Sequence, residues 1–470
     1  MGKPFAPPGP KPKPLVGNLI EFRRDKLAFF TRMAREFGDV AGFRIGPRQV
    51  VLLSDPEMIE QVLATQQRNF VKHFVLTLLR PVLGQGLITS EGDLWLHQRR
   101  MIQPAFQRAH IEDYAGIMVG HAERMLADWS DGERLDLHAA LMHLTLGIAA
   151  KALLDAEVSG DEFRTVSHAL DLLMRDFVYR FEGVVKIPLW MPSPWNWRIK
   201  RQIRRLDRVM YGIIDRRRRG SLDGPDLLSQ LMKATDAGAE NPGGRGTMTD
   251  RQLRDELMTL FLAGHETTAS ALGWTWYLLA QHPDVEGRLR AELQDVLGWR
   301  SPTVADVPRL HYTEQVVTES MRLLPPVYAV GRRAARDCEI GGYDVPAGTT
   351  FLMSQWVLHR DPRFFDDPLA FRPQRWADGL AKRIPKFVYF PFGGGPRVCV
   401  GNSFAMLEAV LVLATMAQRF RFELLPRPKV VPWASVTLRP KHGIHVVCHK
   451  IEPAGRVASV LQREIQSEAP

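Results

Sequence analysis

The segment from Asp250 to Gln281 constrains the fold more than any other part of this sequence. A capping signal at Thr249 opens it, Pro283 ends it, and apolar residues fill most of the positions between. At 1.5 Å per residue, this run predicts a helix of roughly 45–50 Å. A rod of that length crosses a whole domain, so we expect one buried central helix with a large core around it.

The composition supports a core of that size. The chain has 470 residues, of which 45% are hydrophobic and 24% are charged. These values are ordinary for a globular protein and exclude a disordered, collagen-like or disulfide-scaffold chain. The three cysteines, Cys338, Cys399 and Cys448, fit a reducing compartment.

Neither export nor a membrane span is predicted. Residues 1–17 are rich in proline and lack the apolar stretch of a signal peptide. Leu257–Ala280 is long enough to cross a bilayer, but Glu266 lies near its middle, and a carboxylate there is costly in lipid. We therefore expect a cytoplasmic protein.

The charge balance is 62 basic against 52 acidic residues, a net charge of +10. Such an excess suits an acidic partner or an anionic surface. We expect it to be spread along the chain, without the concentrated basic element that nucleic acid binding needs, so nucleic acid is not an expected partner. The basic run Arg201–Arg219 is most simply a solvated helix face.

Helical patterns dominate the rest of the chain, and strand signals are sparse. Further helices are predicted at Ala109–Trp129, Asp161–Phe177 and Trp197–Arg219, hairpins at Asp39–Phe43 with Gln49–Leu53 and at Glu339–Val345 with Gly348–Met353, and a strand at Gly443–Cys448. The pattern indicates a single large domain, mainly α with small β-sheets. We place a proline-rich segment at residues 1–18, the domain at 19–453 and a tail at 454–470.

Two familiar site motifs are incomplete in this sequence. His265-Glu266 begins like a zinc-protease helix motif, but Ala269 stands where the second histidine belongs. The glycines at 393–395 follow no strand with dinucleotide-binding spacing, and no phosphate-binding loop with a GKS or GKT ending occurs. A zinc or nucleotide site is therefore not expected.

Cys399 stands out among the remaining residues. It follows a glycine-rich turn and precedes an amphipathic helix that begins just after Gly401. Backbone N–H groups and the positive end of a helix dipole favour a thiolate at such a position. From these features alone, Cys399 is either a nucleophile or metal ligand, or a buried inert cysteine.

The neighbours of Cys399 decide between these alternatives. Phe392, Gly395, Arg397, Cys399 and Gly401 match FxxGxRxCxG, the haem-binding signature of the cytochrome P-450 family. Four other segments resemble motifs of that family and occur in its order: Trp95-x-x-x-Arg99, Ala263-Gly264-His265-Glu266-Thr267-Thr268, Glu319-Ser320-Met321-Arg322 and Phe371-Arg372-Pro373-Gln374-Arg375-Trp376. The resemblance extends over nearly the whole chain and implies the P-450 fold.

This resemblance implies haem b, buried between the central helix and the helix that follows Cys399. Cys399 would be the iron ligand, and such a thiolate pushes electron density onto the metal and favours O–O cleavage. The cofactor-binding residues implied are Trp95, Arg99, Ala263, Gly264, Arg332, Phe392, Arg397, Cys399 and Gly401. Of these, Trp95, Arg99, Arg332 and Arg397 would hold the two propionates, with Arg333 as an alternative to Arg332.

The central helix carries the implied catalytic pair. Gly264 has no side chain and would leave room for dioxygen. Glu266 and Thr267, an acid followed by an alcohol, would relay protons to it. The alternative is a threonine that only bonds to its own helix.

Glu319 and Arg322 lie three residues apart on one helix face. The resemblance implies that they form a buried network with Arg375, important for folding and haem retention. Gln374 departs from the glutamate that the family often has, but Arg375, the network member, is retained.

A mostly apolar substrate pocket is also implied by the resemblance. Its expected lining is Phe74, Leu87, Phe177, Phe181, Phe261, Val327, Val330 and Leu438. Such a lining suits a small lipophilic guest. A fatty acid is the first expectation, with a terpenoid, steroid or polyketide as alternatives.

The resemblance thus predicts a monooxygenase of the bacterial type that inserts one atom of O₂ into a lipophilic substrate. NAD(P)H would supply electrons indirectly, through a reductase and a ferredoxin or flavodoxin that docks near Lys382, Arg383 and Lys386. We expect a monomer. The alternatives are a haem-thiolate isomerase or dehydratase, and a haem-binding sensor or carrier without turnover.

Overall fold

The computed structural model describes residues 3–155, 160–182, 188–220, 226–233 and 248–452, and most of these residues are helical. The α-helices of this part of the chain are α1 Leu19–Arg24, α2 Lys26–Phe37, α3 Pro56–Glu60, α4 Arg80–Leu83, α5 Gly92–Ile102, α6 Arg108–Ala127, α7 Leu137–Leu154, α8 Gly160–Glu182, α9 Pro194–Arg219, α10 Leu227–Lys233, α11 Asp250–Leu279, α12 Pro283–Leu297, α13 His311–Leu323, α14 Gln355–Leu358, α15 Leu380–Arg383 and α16 Asn402–Ala417. The helices predicted near residues 109, 161 and 197 are confirmed as α6, α8 and α9.

The strands within these described ranges form four small sheets. They are β1 Lys3–Pro4, β2 Val40–Ile45, β3 Arg48–Leu53, β4 Phe70–Lys72, β5 Arg134–Asp136, β6 Val330–Ala334, β7 Cys338–Ile340, β8 Tyr343–Val345, β9 Thr350–Met353, β10 Phe420–Leu424, β11 Pro432–Ala434, β12 Leu438–Pro440 and β13 His445–Lys450. The largest sheet has the order β2-β3-β9-β6-β4, and the others are β1-β8-β7, β10-β13-β5 and β11-β12. The predicted fold class, mainly α with small β-sheets, is confirmed.

The predicted central helix is α11. Thr249 caps it in a capping box with Gln252, and α12 begins shortly after its end, at Pro283. The first half of α11 packs into one hydrophobic cluster, to which it contributes Leu257 and Phe261 among others. Its second half packs into a different cluster with α7, α13 and α16. Between residues 263 and 268, α11 contributes to neither cluster, and the candidate site lies there.

One predicted hairpin is confirmed and the other is wrong in its pairing. β2 and β3 pair antiparallel around Gly46, which has φ +58°. The other prediction paired Glu339–Val345 with Gly348–Met353. The hairpin instead lies within 338–345, where β7 pairs with β8 across Gly341 and Gly342, both at positive φ. Two adjacent glycines in the left-handed region close this turn, and β9 pairs instead with β3 and β6.

The ends of the domain attach through short pairings. β1, within the proline-rich start, runs parallel to β8. The predicted C-terminal strand is β13, which pairs with β10 and β5. The β11–β12 hairpin reaches α11, because Trp274 Nε1 donates a 2.8 Å hydrogen bond to the Leu438 carbonyl oxygen. The predicted tail at 454–470 lies outside the described residues.

Within the described ranges, α7 is the one helix with the length and apolar character of a membrane span. Two thirds of it, 67%, is buried inside the protein. The core helices of proteins outside membranes meet the same criteria.

Candidate functional site

The loop before Cys399 is held in one shape by close backbone contacts. Gly395 has φ +68°, and a Cβ there would lie 1.9 Å from the Leu63 carbonyl oxygen, so only glycine fits. The Cys399 N–H donates a 3.0 Å hydrogen bond to the Phe392 carbonyl oxygen and closes the loop. The next helix, α16, begins at Asn402. The predicted FxxGxRxCxG residues therefore form one compact turn at the start of α16.

The Cys399 side chain faces an internal space. It has accessible surface, although protein surrounds the thiol and the resulting burial raises its pKa above the usual value. The Gly401 N–H and the charge of Arg99 act in the opposite direction and favour a thiolate. A coordinated metal ion displaces the thiol proton, so the position suits a metal ligand.

The middle of α11 faces open space as well. Ala263, Gly264 and Thr267 are half-buried, whereas the residues around them on the helix are buried. The spacing of these three residues places them on one side of the helix. A Cβ added at Gly264 would meet only the Ala149 Cβ, at 3.9 Å. We refer to Ala263, Gly264 and Thr267 as the α11 stripe. It lies within residues 263–268, the part of α11 that belongs to neither hydrophobic cluster.

The predicted acid–alcohol pair points in two directions. The Thr267 hydroxyl donates a 2.7 Å hydrogen bond to the Ala263 carbonyl oxygen of its own helix. Glu266 Oε1 instead accepts a 2.7 Å hydrogen bond from the Thr437 hydroxyl, and it lies 3.9 Å from Arg439 Nη1. The buried Glu266 carboxylate is therefore held by residues of the β11–β12 hairpin.

Arg397 and Trp95, both predicted propionate ligands, lie in contact. The Arg397 guanidinium is 5.1 Å from the centre of the Trp95 ring, a cation–π distance. It also forms two parallel bonds with Glu91, of 3.0 and 2.6 Å, while its buried Nε has no hydrogen-bond partner among the described residues. A cavity of about 670 Å³ lined by Trp95, Arg99 and Arg397 opens at this point.

Two further cations face each other beside Arg397. Lys72 on β4 is the cross-strand partner of Arg332 on β6. Burial lowers the pKa of Lys72 to about 7 and that of Arg332 to about 10. Like charges directly opposite each other destabilise a strand pair, and Glu91 is the acidic residue that acts on both. Glu256 also acts on Lys72, but burial raises the pKa of the Glu256 carboxyl to about 8. The basic groups Lys72, Arg332 and Arg397 therefore outnumber the ionised acids, and this surplus of positive charge matches the two carboxylates of haem.

Neither Lys72 nor Glu91 was predicted from the sequence as a residue of the site. Neither belongs to a recognisable motif, and only the pairing of β4 with β6 brings Lys72 to Arg332. Lys72 Nζ donates hydrogen bonds to the carbonyl oxygens of Leu87 and Ser90, at 2.7 and 2.6 Å. These bonds hold the amine within electrostatic reach of Arg332 and Arg397, two of the predicted propionate ligands.

The fourth predicted propionate ligand, Arg99, is bound to the cysteine loop. Its Nη1 donates a 2.9 Å hydrogen bond to the carbonyl oxygen of Val398, the residue before Cys399. Burial lowers the pKa of Arg99, and the Cys399 thiol lies within its electrostatic reach. Arg99 thus connects α5 to the loop that carries the thiol.

Glu319, Arg322 and Arg375 form the predicted network. The side chains of Glu319 and Arg322 are fully buried, at 0% exposure each. Glu319 accepts hydrogen bonds of 2.9 and 2.8 Å from Arg322, 2.8 Å from Arg375 and 2.8 Å from Trp376 Nε1. Such a buried carboxylate is stable only with its partners present.

The eight predicted pocket residues divide among several places. Phe177 and Phe261 are buried in the cluster of the first half of α11, and Leu87 and Phe181 pack against it. Phe177 also lines an apolar cavity of about 200 Å³. The remaining members are elsewhere: Phe74 under the Arg48 guanidinium, Val327 half-buried after α13, Val330 against the β-sheet core and Leu438 in the second α11 cluster.

No group of three or more histidine, cysteine or acidic residues that could hold a metal occurs in the part of the chain that the structure describes. A metal ion at Cys399 would therefore need most of its ligands from a cofactor. A porphyrin supplies four nitrogen ligands, so the donor set on this protein fits haem and does not fit a bare metal ion.

Comparison with known proteins agrees with this geometry. The family model described as "Cytochrome P450" matches residues 7–447. Cyclooctatin synthase of Streptomyces melanosporofaciens is 37% identical over 427 residues, which cover 90% of this chain and 92% of that protein. The cyclooctat-9-en-7-ol 5-monooxygenase of the same organism is 36% identical over 413 residues, 88% of each chain.

A solved structure supports the same assignment. The retinoic acid-bound cyanobacterial CYP120A1 matches this chain with a TM-score of 0.83 and 26% sequence identity, covering 96% of this chain and 100% of that one. Members of this family use haem b and O₂, with electrons from NAD(P)H through redox partners. The chain therefore belongs to the cytochrome P450 family of haem-thiolate monooxygenases.

Proposed function

We propose that this enzyme inserts one atom of O₂ into a neutral terpenoid, with haem b held between the Cys399 loop and the half-buried face of α11. Haem b, when bound, supplies the activation of O₂. The observation that carries the proposal is the α11 stripe of Ala263, Gly264 and Thr267, which faces open space where both hydrophobic clusters stop. Cys399 also faces an internal space.

The propionates of haem would bind the buried cations. Arg397, with its unpartnered Nε, and the facing pair Lys72 and Arg332 supply the charge, and Trp95 covers the Arg397 guanidinium. Charge-assisted hydrogen bonds of this kind are about twice as strong as neutral ones. Arg99 would hold the Cys399 loop in a fixed position relative to α5.

Proton delivery would run through Glu266 and Thr267. Arg439, whose side chain is 17% exposed, lies within 4.0 Å of both Glu266 and the half-exposed Asp171. A guanidinium stays protonated and passes on no proton itself, so Arg439 would hold the Glu266 carboxylate in place while the proton moves on Glu266. The Thr267 oxygen keeps its acceptor lone pairs while its hydrogen bonds Ala263. We propose that Glu266 moves a proton and that Thr267 orients the oxygen that receives it.

The substrate class rests on two observations. The relatives named for cyclooctatin and cyclooctat-9-en-7-ol favour a terpenoid. Arg180, the cation among the described residues that line the 200 Å³ cavity, is already bound to Asp176 at 2.6 Å. A fatty-acid carboxylate would compete with Asp176 for that charge, so the cavity suits a neutral guest better than the fatty acid expected first.

An acidic ferredoxin or flavodoxin is the proposed electron donor. Lys382 and Arg383 are exposed on α15, and Phe387 of the adjoining segment packs against Gly394 in the cysteine loop. Lys386 is less available, because its amine pairs with Glu60 at 2.9 Å. We expect Lys382→Glu with Arg383→Glu to slow reduction and to flatten its salt dependence, whereas Arg309→Glu with Arg421→Glu leaves both unchanged.

A cytoplasmic location is proposed on the state of the cysteines. Cys338, Cys399 and Cys448 are all free thiols in the structure. Free thiols persist in reducing compartments. Measurement of the thiol content of protein isolated under alkylating conditions tests this, with three modified cysteines expected after denaturation.

Optical titration of the ferric protein tests the proposed substrate class. Cyclic terpenoid alcohols and hydrocarbons are expected to shift the haem band toward its high-spin position at lower concentration than fatty acids of similar length. Turnover of the ligand that binds most tightly should then require both O₂ and reductant. Turnover without either would favour an isomerase or dehydratase, and binding without turnover would favour a sensor.

A further inference from the structure

The basic charge of this protein is concentrated in one helix. α9 contains ten basic and two acidic residues, a net charge of +8, whereas the whole chain has a net charge of +10. The expectation of an evenly spread excess was therefore wrong. The basic residues of α9 alternate with Ile199, Leu206 and Met210, which are buried, so the charge lies on the outward side of the helix.

The outward face of α9 combines arginine with aromatic residues. Trp197, Arg201, Arg204, Arg208 and Tyr211 follow each other at helical spacing and are all exposed. The guanidinium groups of these three arginines make no hydrogen bond or ion pair with any described residue. Their charge is therefore available to an external ligand.

The chain just before α9 and the end of α8 carry further exposed apolar side chains. Trp190 is 75% exposed and Trp197 is 63% exposed. Tyr179, at the end of α8, is 51% exposed and Met191 is 40% exposed. Large apolar side chains that cluster on a surface mark a binding site or a membrane contact.

This chemistry fits the surface of a bilayer. Tryptophan and tyrosine prefer the headgroup level, where the ring is in apolar surroundings and its polar atom meets water. Arginine binds anionic headgroups, and its aliphatic stem tolerates the interface. Leu189, next to Trp190, lines the 200 Å³ apolar cavity, so a lipophile that leaves the bilayer at this face would enter the protein beside it.

We propose that Trp190, Trp197, Arg201, Arg204, Arg208 and Tyr211 form a surface that binds peripherally to anionic membranes. The membrane contact is independent of the proposed substrate, and only the suggested route of substrate entry rests on the proposed function. An acidic protein is the other ligand that suits arginine, but the position of two highly exposed tryptophans beside an apolar cavity favours lipid.

Flotation of the haem-loaded enzyme with vesicles tests this proposal. The wild type is expected to float with phosphatidylcholine vesicles that contain phosphatidylglycerol, to float far less with phosphatidylcholine alone, and to detach as salt is raised. Since each basic residue near such a surface contributes about 1 kcal/mol, R201Q/R204Q/R208Q should lower the partition coefficient roughly 100-fold.

Matched variants control for charge and apolarity. Arg35, Arg309 and Arg421 are exposed arginines elsewhere, so R35Q/R309Q/R421Q removes the same charge and should bind like the wild type. W190S/W197S should lose several-fold in binding, whereas L15S/L369S, which removes two exposed leucines elsewhere, should not. Haem content shows that each variant is folded.

Equal flotation of the wild type with both vesicle types would overturn the proposal, as would undiminished flotation of R201Q/R204Q/R208Q. If this variant kept its vesicle binding but was reduced more slowly by the electron donor, the surface would be a protein-docking site and the proposal would be wrong. Titration of the haem band with substrate in vesicle-free solution reports on the proposed function separately, and we expect it to be unchanged in these variants.

Discussion

Glu266 accepts a 2.7 Å hydrogen bond from the hydroxyl of Thr437, so the buried acid of α11 is held by the β11–β12 hairpin and not by its neighbour Thr267. The hairpin in turn is bound to α11 through Trp274. This arrangement fixes the acid within 3.9 Å of Arg439, which is partly exposed. The turn at Thr437 therefore controls where the acid of the proposed proton path can point.

Replacement of Thr267 by alanine should uncouple electron use from product formation. Without the hydroxyl, the second proton would no longer be directed to the oxygen that is lost as water. Oxygen reduced by two electrons would then take up two protons and leave as hydrogen peroxide, so NAD(P)H consumption continues while product falls several-fold. Product and peroxide per NAD(P)H consumed are the measurements. Thr415→Ala is the control, because the hydroxyl of Thr415 also bonds to its own helix. Unchanged coupling in Thr267→Ala would contradict the proposed role.

Thr437→Val should slow product formation while leaving haem binding intact. The substitution keeps the volume of the side chain but removes the donor to Glu266, and a buried carboxylate that loses a partner costs about 1–3 kcal/mol. We expect a several-fold lower rate and an altered solvent isotope effect, since proton delivery is affected. A rate equal to that of the wild type would show that Thr437 does not position the acid.

Glu319→Gln should destabilise the protein strongly. The fully buried carboxylate accepts hydrogen bonds from Arg322, Arg375 and Trp376, and removal of one partner of a buried ion pair costs roughly 3–5 kcal/mol. Denaturant unfolding followed by the haem band measures the loss. Glu314→Gln, an exposed glutamate on the same helix, should change the unfolding free energy by less than about 0.5 kcal/mol, and similar values for both variants would refute the network.

Lys72 should make haem affinity depend on pH. Because burial lowers its pKa to about 7, the amine of the haem-free protein is mostly neutral above that pH. Pairing with a propionate requires the ammonium form, so haem binding takes up a proton and affinity falls as pH rises above about 7, by at most about tenfold per pH unit. Competition for haem with apomyoglobin measures this dependence.

Two lysine variants separate this effect from general alkaline weakening. Lys72→Met should bind haem more weakly near neutral pH and should lack the added pH dependence. Lys382→Met, an exposed lysine on α15, should behave as the wild type. The same pH profile in Lys72→Met and the wild type would exclude Lys72 from the propionate site.

The sequence predicted those features that local signals encode. The capping box at Thr249 and the stop at Pro283 define α11, and fixed spacings identify the residues around Cys399 and Glu319. Lys72 could not be found in this way, since its partner Arg332 is distant in sequence and only strand pairing joins them.

Other features depended on long-range packing. The glycines at 341 and 342 form a tight turn that pairs β7 with β8, so β9 does not pair with this segment. β9 pairs with β3 instead. The direction of the Glu266 side chain is set by Thr437, which follows it by 171 residues. Neither outcome has a local signal, because each depends on which segments of a distant hairpin or sheet meet.

The most direct test is the absorption spectrum of the reduced, carbon monoxide-bound protein, since the proposed site is built around Cys399 as the haem ligand. The wild type, Cys338→Ser and Cys448→Ser should all show the red-shifted band of thiolate-ligated haem. Cys399→Ser should lose that band. Persistence of the band in Cys399→Ser, or its absence from the haem-loaded wild type, would contradict the account.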